Sequence, residues 1–126
     1  MPKIIHQLPN APAAVGPYSV ATEAHGFVFV SGQVGIDPAA GRVVTGGTAA
    51  EARQIMANLE KILADLDLTF DDVAKTTIFL ADIKDFATVN EVYGGSFGGH
   101  DPARSTVEVS GLPLGVNIEI EIVAAR

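Results

Sequence analysis

The sequence predicts an α+β fold: a mixed β-sheet of about six strands with two helices on one of its faces. One long stretch of helical periodicity, several short β-branched and aromatic runs, and a strict alternation near the C-terminus carry that prediction. The length of 126 residues is one ordinary domain's worth, so 1–126 is expected to form a single domain around one core.

Residues 3–6 read as a short strand, followed by a Pro- and Ala-rich loop through Pro9, Pro12 and Gly16-Pro17 and an extended stretch from Tyr18. Pro17 keeps Gly16 out of helix and fixes the exit of the loop. Phe27-Val28-Phe29-Val30-Ser31 is too short for a helix and is closed by Gly32, which predicts a strand. Asp37-Pro38 and Gly41 mark a turn, with 42–45 as its return strand. Over 48–66, Ala52, Ile55, Met56, Leu59, Ile62, Leu63 and Leu66 recur at the spacing of one helical face, and Thr48 with Glu51 reads as a capping box. Asp71-Asp72 leads into a Thr-, Ile- and Phe-rich strand over 73–81. A second helix is expected over 83–93, with Ile83, Phe86, Val89 and Tyr93 on one side and an end at Gly94-Gly95. The glycine-rich loop 94–102 is expected to be the most mobile segment. Strands over 103–109 and 116–124, joined through Gly111-Leu112-Pro113, complete the sheet, and in the second Ile118, Ile120 and Ile122 alternate with Glu119 and Glu121.

Two helices cover one sheet face, yet 27–30 and 78–80 are apolar on both sides. The second face needs a cover that the chain does not supply, and another copy of itself is the cheapest, so a homo-oligomer is expected. An apolar share of 48% against 18% charged residues points the same way. Eight Lys and Arg, scattered singly, against 15 Asp and Glu leave a charge of −7, which argues against a nucleic-acid partner. The lack of Cys excludes disulfides, thiolate nucleophiles and Cys-based metal sites. Met-Pro-Lys-Ile-Ile-His-Gln lacks the features of a leader, and no run reaches the ~18 apolar residues of a membrane helix, so a cytoplasmic protein without membrane attachment is expected.

His6, His25 and His100 share no metal-ligand spacing, Ser31 lies outside any Gly-x-Ser-x-Gly elbow, and the glycines of 94–99 precede a strand. Metal, serine-hydrolase and dinucleotide chemistry are therefore not expected. Arg104 opens a strand after Pro102; its guanidinium suits a substrate carboxylate, or else a surface ion pair. Thr106 and Glu108 share its face, with Ser105, Val107 and Val109 expected to point toward the helices. Glu119 and Glu121 are solvated acids on an open face, or candidates to hold and deprotonate a water if an oligomer covers that face. Tyr18 walls a pocket or joins the core, and Asn90 bonds across a cleft or is plain helix surface. Ser31-Gly32-Gln33 permits close backbone approach or simply ends its strand.

Asn10-Ala-Pro-Ala-Ala-Val-Gly-Pro-Tyr18, Val30-Ser-Gly-Gln33, Ala52-Arg53-Gln54 with Asn58-Leu59, Lys75-Thr-Thr-Ile-Phe79, Asp85-Phe-Ala-Thr-Val-Asn90, Pro102-Ala-Arg-Ser105-Thr-Val-Glu-Val109, Leu112-Pro113 and Ile118-Glu-Ile-Glu121 run in order along nearly the whole chain. Together they resemble the Rid family of YjgF-like reactive-intermediate deaminases, and its RidA-type branch most closely. The resemblance implies a chorismate-mutase-like α+β fold assembled as a homotrimer around a central barrel, with three active sites at the subunit clefts. It implies hydrolysis of 2-imino acids, tautomers of enamines such as 2-aminoacrylate, to 2-keto acids and ammonia, with no cofactor and no metal. Arg104 matches the arginine that clamps the substrate carboxylate, and Glu119 the acid that positions the attacking water. Tyr18 matches the pocket tyrosine, and Ser31, Gly32 and Asn90 match positions lining the cleft. Thr106 departs from the usual Cys, whose backbone carbonyl helps hold the water; a Thr carbonyl serves equally. The loop before Pro102 is shorter than usual, with Asp101 where an aromatic residue is common, and both departures bear on substrate preference. Two rival readings are a non-catalytic ligand- or partner-binding trimer and the endoribonuclease or translation-inhibitor role attached to some Rid relatives. The acidic charge opposes the latter.

Overall fold

A computed structural model describes residues 2–126. β1 (Ile4–His6), β2 (Ala21–Ala24) and β3 (Phe27–Gln33) form an antiparallel meander, and β4 (Ile36–Asp37) pairs with β5 (Arg42–Val43) in a separate ribbon. α1 (Gly47–Asp65) and β6 (Val73–Leu80) follow, then α2 (Phe86–Gly94), β7 (Ala103–Glu108) and β8 (Ile118–Ala125). The main sheet has the order β1-β2-β3-β8-β6-β7. β8 runs antiparallel between β3 and β6, so the last two strands of the chain are not neighbours. β6 and β7 are parallel, a pairing that requires a crossover, and α2 supplies it.

The stripe expected on α1 is buried: Ala52, Ile55, Met56, Leu59, Ile62 and Leu63 pack on Val28, Val30, Ile78, Leu80 and the Ile118, Ile120, Ile122 row. Each large aliphatic side chain buried there contributes about 1.5–3 kcal/mol. The capping box expected at Thr48 is not formed. Gly46 is the N-cap, without a side-chain hydrogen bond. The Thr48 hydroxyl instead donates to Asp85 Oδ2 at 2.7 Å. The buried Glu51 carboxylate accepts from the backbone N–H of Asn117 at 2.9 Å and from its side-chain amide at 2.6 Å. Partners brought by the fold displaced the local ones. A capping box does form at Thr69 and Asp72, just before β6.

The second helix begins later than expected, after a 3-10 turn over Ile83–Asp85; Val89 and Tyr93 are buried, while Ile83 and Phe86 stay 46% and 41% exposed. The loop expected to be most mobile is anchored. Phe97 is buried there, edge-on to Phe70 at 5.2 Å and against Tyr93 at 4.8 Å.

The sheet's other face carries no helix. Phe27 and Phe29 are 47% and 45% exposed on it and Val107 is 42% exposed, beside Glu119, Glu121, Thr77 and Phe79. The pairing also corrects the phase expected for β7. Arg104 pairs with Thr76 and Thr106 with Ile78, and both partners are buried beneath the helices. Arg104 and Thr106 therefore face the helices, while Ser105 and Val107 lie on the open side. The valine lies on the face without helices rather than in the core of the chain. Among the described residues no helix is long and apolar enough to cross a membrane.

Candidate active site

Two clusters carry the expected site residues, one on each face of the sheet. The first gathers on the open face around an irregularity in β3. Val30 pairs with Ile122 but Gln33 pairs with Ile120, so three steps on β3 oppose two on β8 and the extra residue falls at Ser31-Gly32. Ser31 is held by its hydroxyl, which donates to Ser19 O at 2.6 Å, and by its N–H, which donates to Val20 O at 2.9 Å. Gly32 then lies directly against the Glu119 carboxyl: a Cβ at position 32 would come within 2.7 Å of Glu119 Cδ and closer still to Oε2. The absence of a side chain is what gives the carboxyl its place.

A cleft of about 390 Å³ opens here, lined by Tyr18, Ser31, Gly32, Glu119 and Glu121, with Leu114 at its rim. Tyr18 Oη accepts a long hydrogen bond from the Val15 N–H, 3.4 Å, which ties the Pro-rich loop over the cleft. Burial, and then the neighbouring Glu121 charge, push the Glu119 carboxyl above its ordinary value of 4.5. A carboxylate displaced in this direction is a better proton acceptor than a solvated one. Leu114 sits in the left-handed region, at φ 60°, where a bulky side chain is uncommon.

The second cluster lies under α2 at the β7 edge. The Arg104 guanidinium carbon stands 5.0 Å from the Tyr93 ring centre and 5.4 Å from that of Phe86, a double cation–π contact. Asn90 lies between those rings on the same helical face, one turn from Phe86. Its Oδ1 and the Thr106 Oγ1 are both buried without a hydrogen-bond partner. The ion pairs among the described residues join Glu23 to His6 and Arg126, so Arg104 has no carboxylate partner. Glu108, two residues beyond Thr106 on the same face, is engaged by the Ile83 N–H at 2.9 Å.

The structure thus brings Tyr18, Ser31, Gly32 and Glu119 together, and Arg104, Thr106 and Asn90 together, but separates the two sets. Phe79, on β6, registers with Glu119, whereas Thr76, three residues earlier and on the opposite face, registers with Arg104. Sequence reasoning missed Phe86 and Tyr93 as an arginine platform, although their seven-residue spacing with Asn90 between them was available as a signal. It also missed Leu114 at the cleft rim, which no local pattern marks. No group of three His, Asp or Glu side chains among the described residues is placed to hold a metal ion.

A family model described as Endoribonuclease L-PSP matches residues 8–126. A protein from Mus musculus named 2-iminobutanoate/2-iminopropanoate deaminase is 47% identical over 117 residues, covering 93% of this chain and 87% of that protein. Among solved structures, RidA from the Antarctic bacterium Psychrobacter sp. PAMC 21119 superposes with a TM-score of 0.91 at 38% identity, over 95% of this chain and 97% of the other. TdcF from E. coli with bound serine superposes with a TM-score of 0.90 at 38% identity, over 97% and 98%. A likeness that runs through every element of the sheet and both helices places this chain in the Rid (YjgF-like) family, the one described as Endoribonuclease L-PSP.

Proposed function

We propose that the protein is a 2-iminobutanoate/2-iminopropanoate-type deaminase, hydrolysing reactive imines to 2-keto acids and ammonia in sites shared between the subunits of a homotrimer. The observation that carries the shared site is the separation of Arg104 and Glu119 onto opposite faces of one sheet. A clamp and a base so placed cannot meet on one small substrate within a chain. A second copy, covering the open apolar face, brings its β7 edge to the Glu119 cleft of the first and satisfies both requirements at once.

In this reading the unpaired Arg104 receives the substrate carboxylate through two parallel charge-assisted hydrogen bonds. Glu119 holds a water on the other side of the imine carbon and takes its proton as the oxygen attacks. The carbon–oxygen bond forms, the imine nitrogen gains protons, and the carbon–nitrogen bond then breaks to release ammonia and leave the keto group. Thr106 lies on the edge strand, where half of the backbone carbonyls have no neighbouring strand to bond, and one of these steadies the water. Tyr18, Ser31, Gly32 and Asn90 line the assembled cleft. Imines hydrolyse readily in water, so positioning supplies most of what is needed.

The test is an assay that generates 2-aminoacrylate in situ and follows keto-acid release. Arg104→Ala is expected to lower kcat/KM by about 100-fold or more while the mass in solution stays that of a trimer. Retained activity in that variant would refute the assignment.

A further inference from the structure

We propose that Tyr93, braced by Thr76, is a positioning residue for Arg104, its ring the platform that holds the guanidinium in place and free of other partners until a carboxylate arrives. The inference rests on the assignment of Arg104 as the carboxylate clamp and concerns how that clamp is kept ready.

An arginine on the face of a protein with 15 acids ordinarily finds a carboxylate. Arg104 does not, because its guanidinium is occupied by rings: Tyr93 at 5.0 Å and Phe86 at 5.4 Å to the ring centres. A ring attracts the cation through its π electrons and offers its N–H groups no oxygen acceptor, so the fork stays available. Glu108, on its own strand face, accepts from the Ile83 N–H through Oε1 at 2.9 Å and forms no ion pair with Arg104.

Tyr93 is more than one of two rings. Its hydroxyl lies 2.7 Å from Thr76 Oγ1 in a buried hydrogen bond, and Thr76 is the residue of β6 that registers with Arg104. The strand beside the arginine therefore sets the tilt of the ring beneath it. Phe97 packs on Tyr93 at 4.8 Å and closes off alternative rotamers. Burial pushes the Tyr93 hydroxyl above its ordinary 10.0, so the phenol stays neutral and keeps this bond wherever the enzyme works. Phe86, by contrast, is 41% exposed and has no such brace.

The test uses the full-length trimer and four variants, Tyr93→Leu, Tyr93→Phe, Phe86→Leu and Thr76→Val, with Arg104→Ala as control. Binding of 2-oxobutanoate is measured by titration, turnover with 2-iminobutanoate generated in situ, and the guanidinium by its 15N resonances, which feel the ring current. Tyr93→Leu is expected to weaken 2-oxobutanoate binding and raise KM about tenfold with kcat within about threefold, and to move the Arg104 resonances. Tyr93→Phe keeps the ring but loses the hydroxyl bond to Thr76, so it should raise KM by the same amount as Thr76→Val and by less than Tyr93→Leu. Phe86→Leu and Thr76→Val should each raise KM by about threefold, and they decide the matter if Tyr93→Leu does not fold. Unchanged KM and unshifted resonances in the folded variants, or a loss in kcat at constant KM, would overturn the platform. Wild-type affinity for 2-oxobutanoate in Arg104→Ala would instead overturn the clamp on which it rests.

Discussion

Glu119 is the residue whose surroundings say most about its chemistry. It is half-buried beside Gly32, its neighbour on the same sheet face is another acid, and both effects raise its carboxyl above 4.5. The acid limb of the kcat/KM profile should therefore lie above the range of an ordinary carboxylate. Glu121→Gln removes the like charge and should move that limb to lower pH; an unmoved limb would assign it to another group. Stability should run the other way. With the folded value above the unfolded one, the folded chain holds this proton more tightly, so ionising Glu119 as pH rises through and beyond 4.5 costs stability. Glu119→Gln is expected to be inactive yet more stable than wild type at pH 7, with the difference vanishing at low pH where both side chains are neutral. Thermal unfolding at pH 7 and below pH 4 checks the sign.

The bulge in β3 is the element that turns a plain strand end into part of a site. It spends an extra residue opposite β8, holds Ser31 by two hydrogen bonds, and leaves Gly32 as the wall against which the Glu119 carboxyl rests. Gly32→Ala should lower kcat/KM at least tenfold while costing little stability, because the colliding group is the far end of a flexible side chain that swings aside. A crystal structure of the variant with Glu119 unmoved, or full activity, would contradict this. The same element shows where sequence reading stops. The apolar stripe of α1 and the Ile118, Ile120, Ile122 row were legible because periodicity reports burial directly. The bulge was not, because it exists only in the pairing of β3 with β8, which no local pattern encodes. Glu51 was misread for a related reason. Its spacing from Thr48 fits a cap, but Asn117, 66 residues away, offers the carboxylate two hydrogen bonds that the helix end cannot match. β7 was read with the right alternation and the wrong phase, since Val107 belongs to the open face that carries no helix, where an apolar residue does not report the core. Arg104, Thr106 and Asn90 were grouped with Glu119 by resemblance alone; chain geometry keeps them apart.

That separation organises the molecule as a whole. One sheet face is filled by two helices and forms the core; the other presents Phe27, Phe29 and Val107 to solvent in a single chain. Covering this second face and completing the site are one event if the partner's β7 edge, with its unpaired arginine, comes to the Glu119 cleft. In the proposed reading, the overall negative charge leaves Arg104 as the local cation that selects a carboxylate-bearing imine. If the site is shared in this way, two inactive variants should rescue each other. Arg104→Ala and Glu119→Ala, each inactive alone, are to be refolded together at equal concentration and the mixed trimers verified by native mass spectrometry. About three-quarters of the trimers then contain both chains, each with one complete site of its three, so the mixture should regain about a quarter of wild-type activity. A mixture that forms mixed trimers yet shows no more activity than its two components would contradict a site built from Arg104 of one subunit and Glu119 of the next.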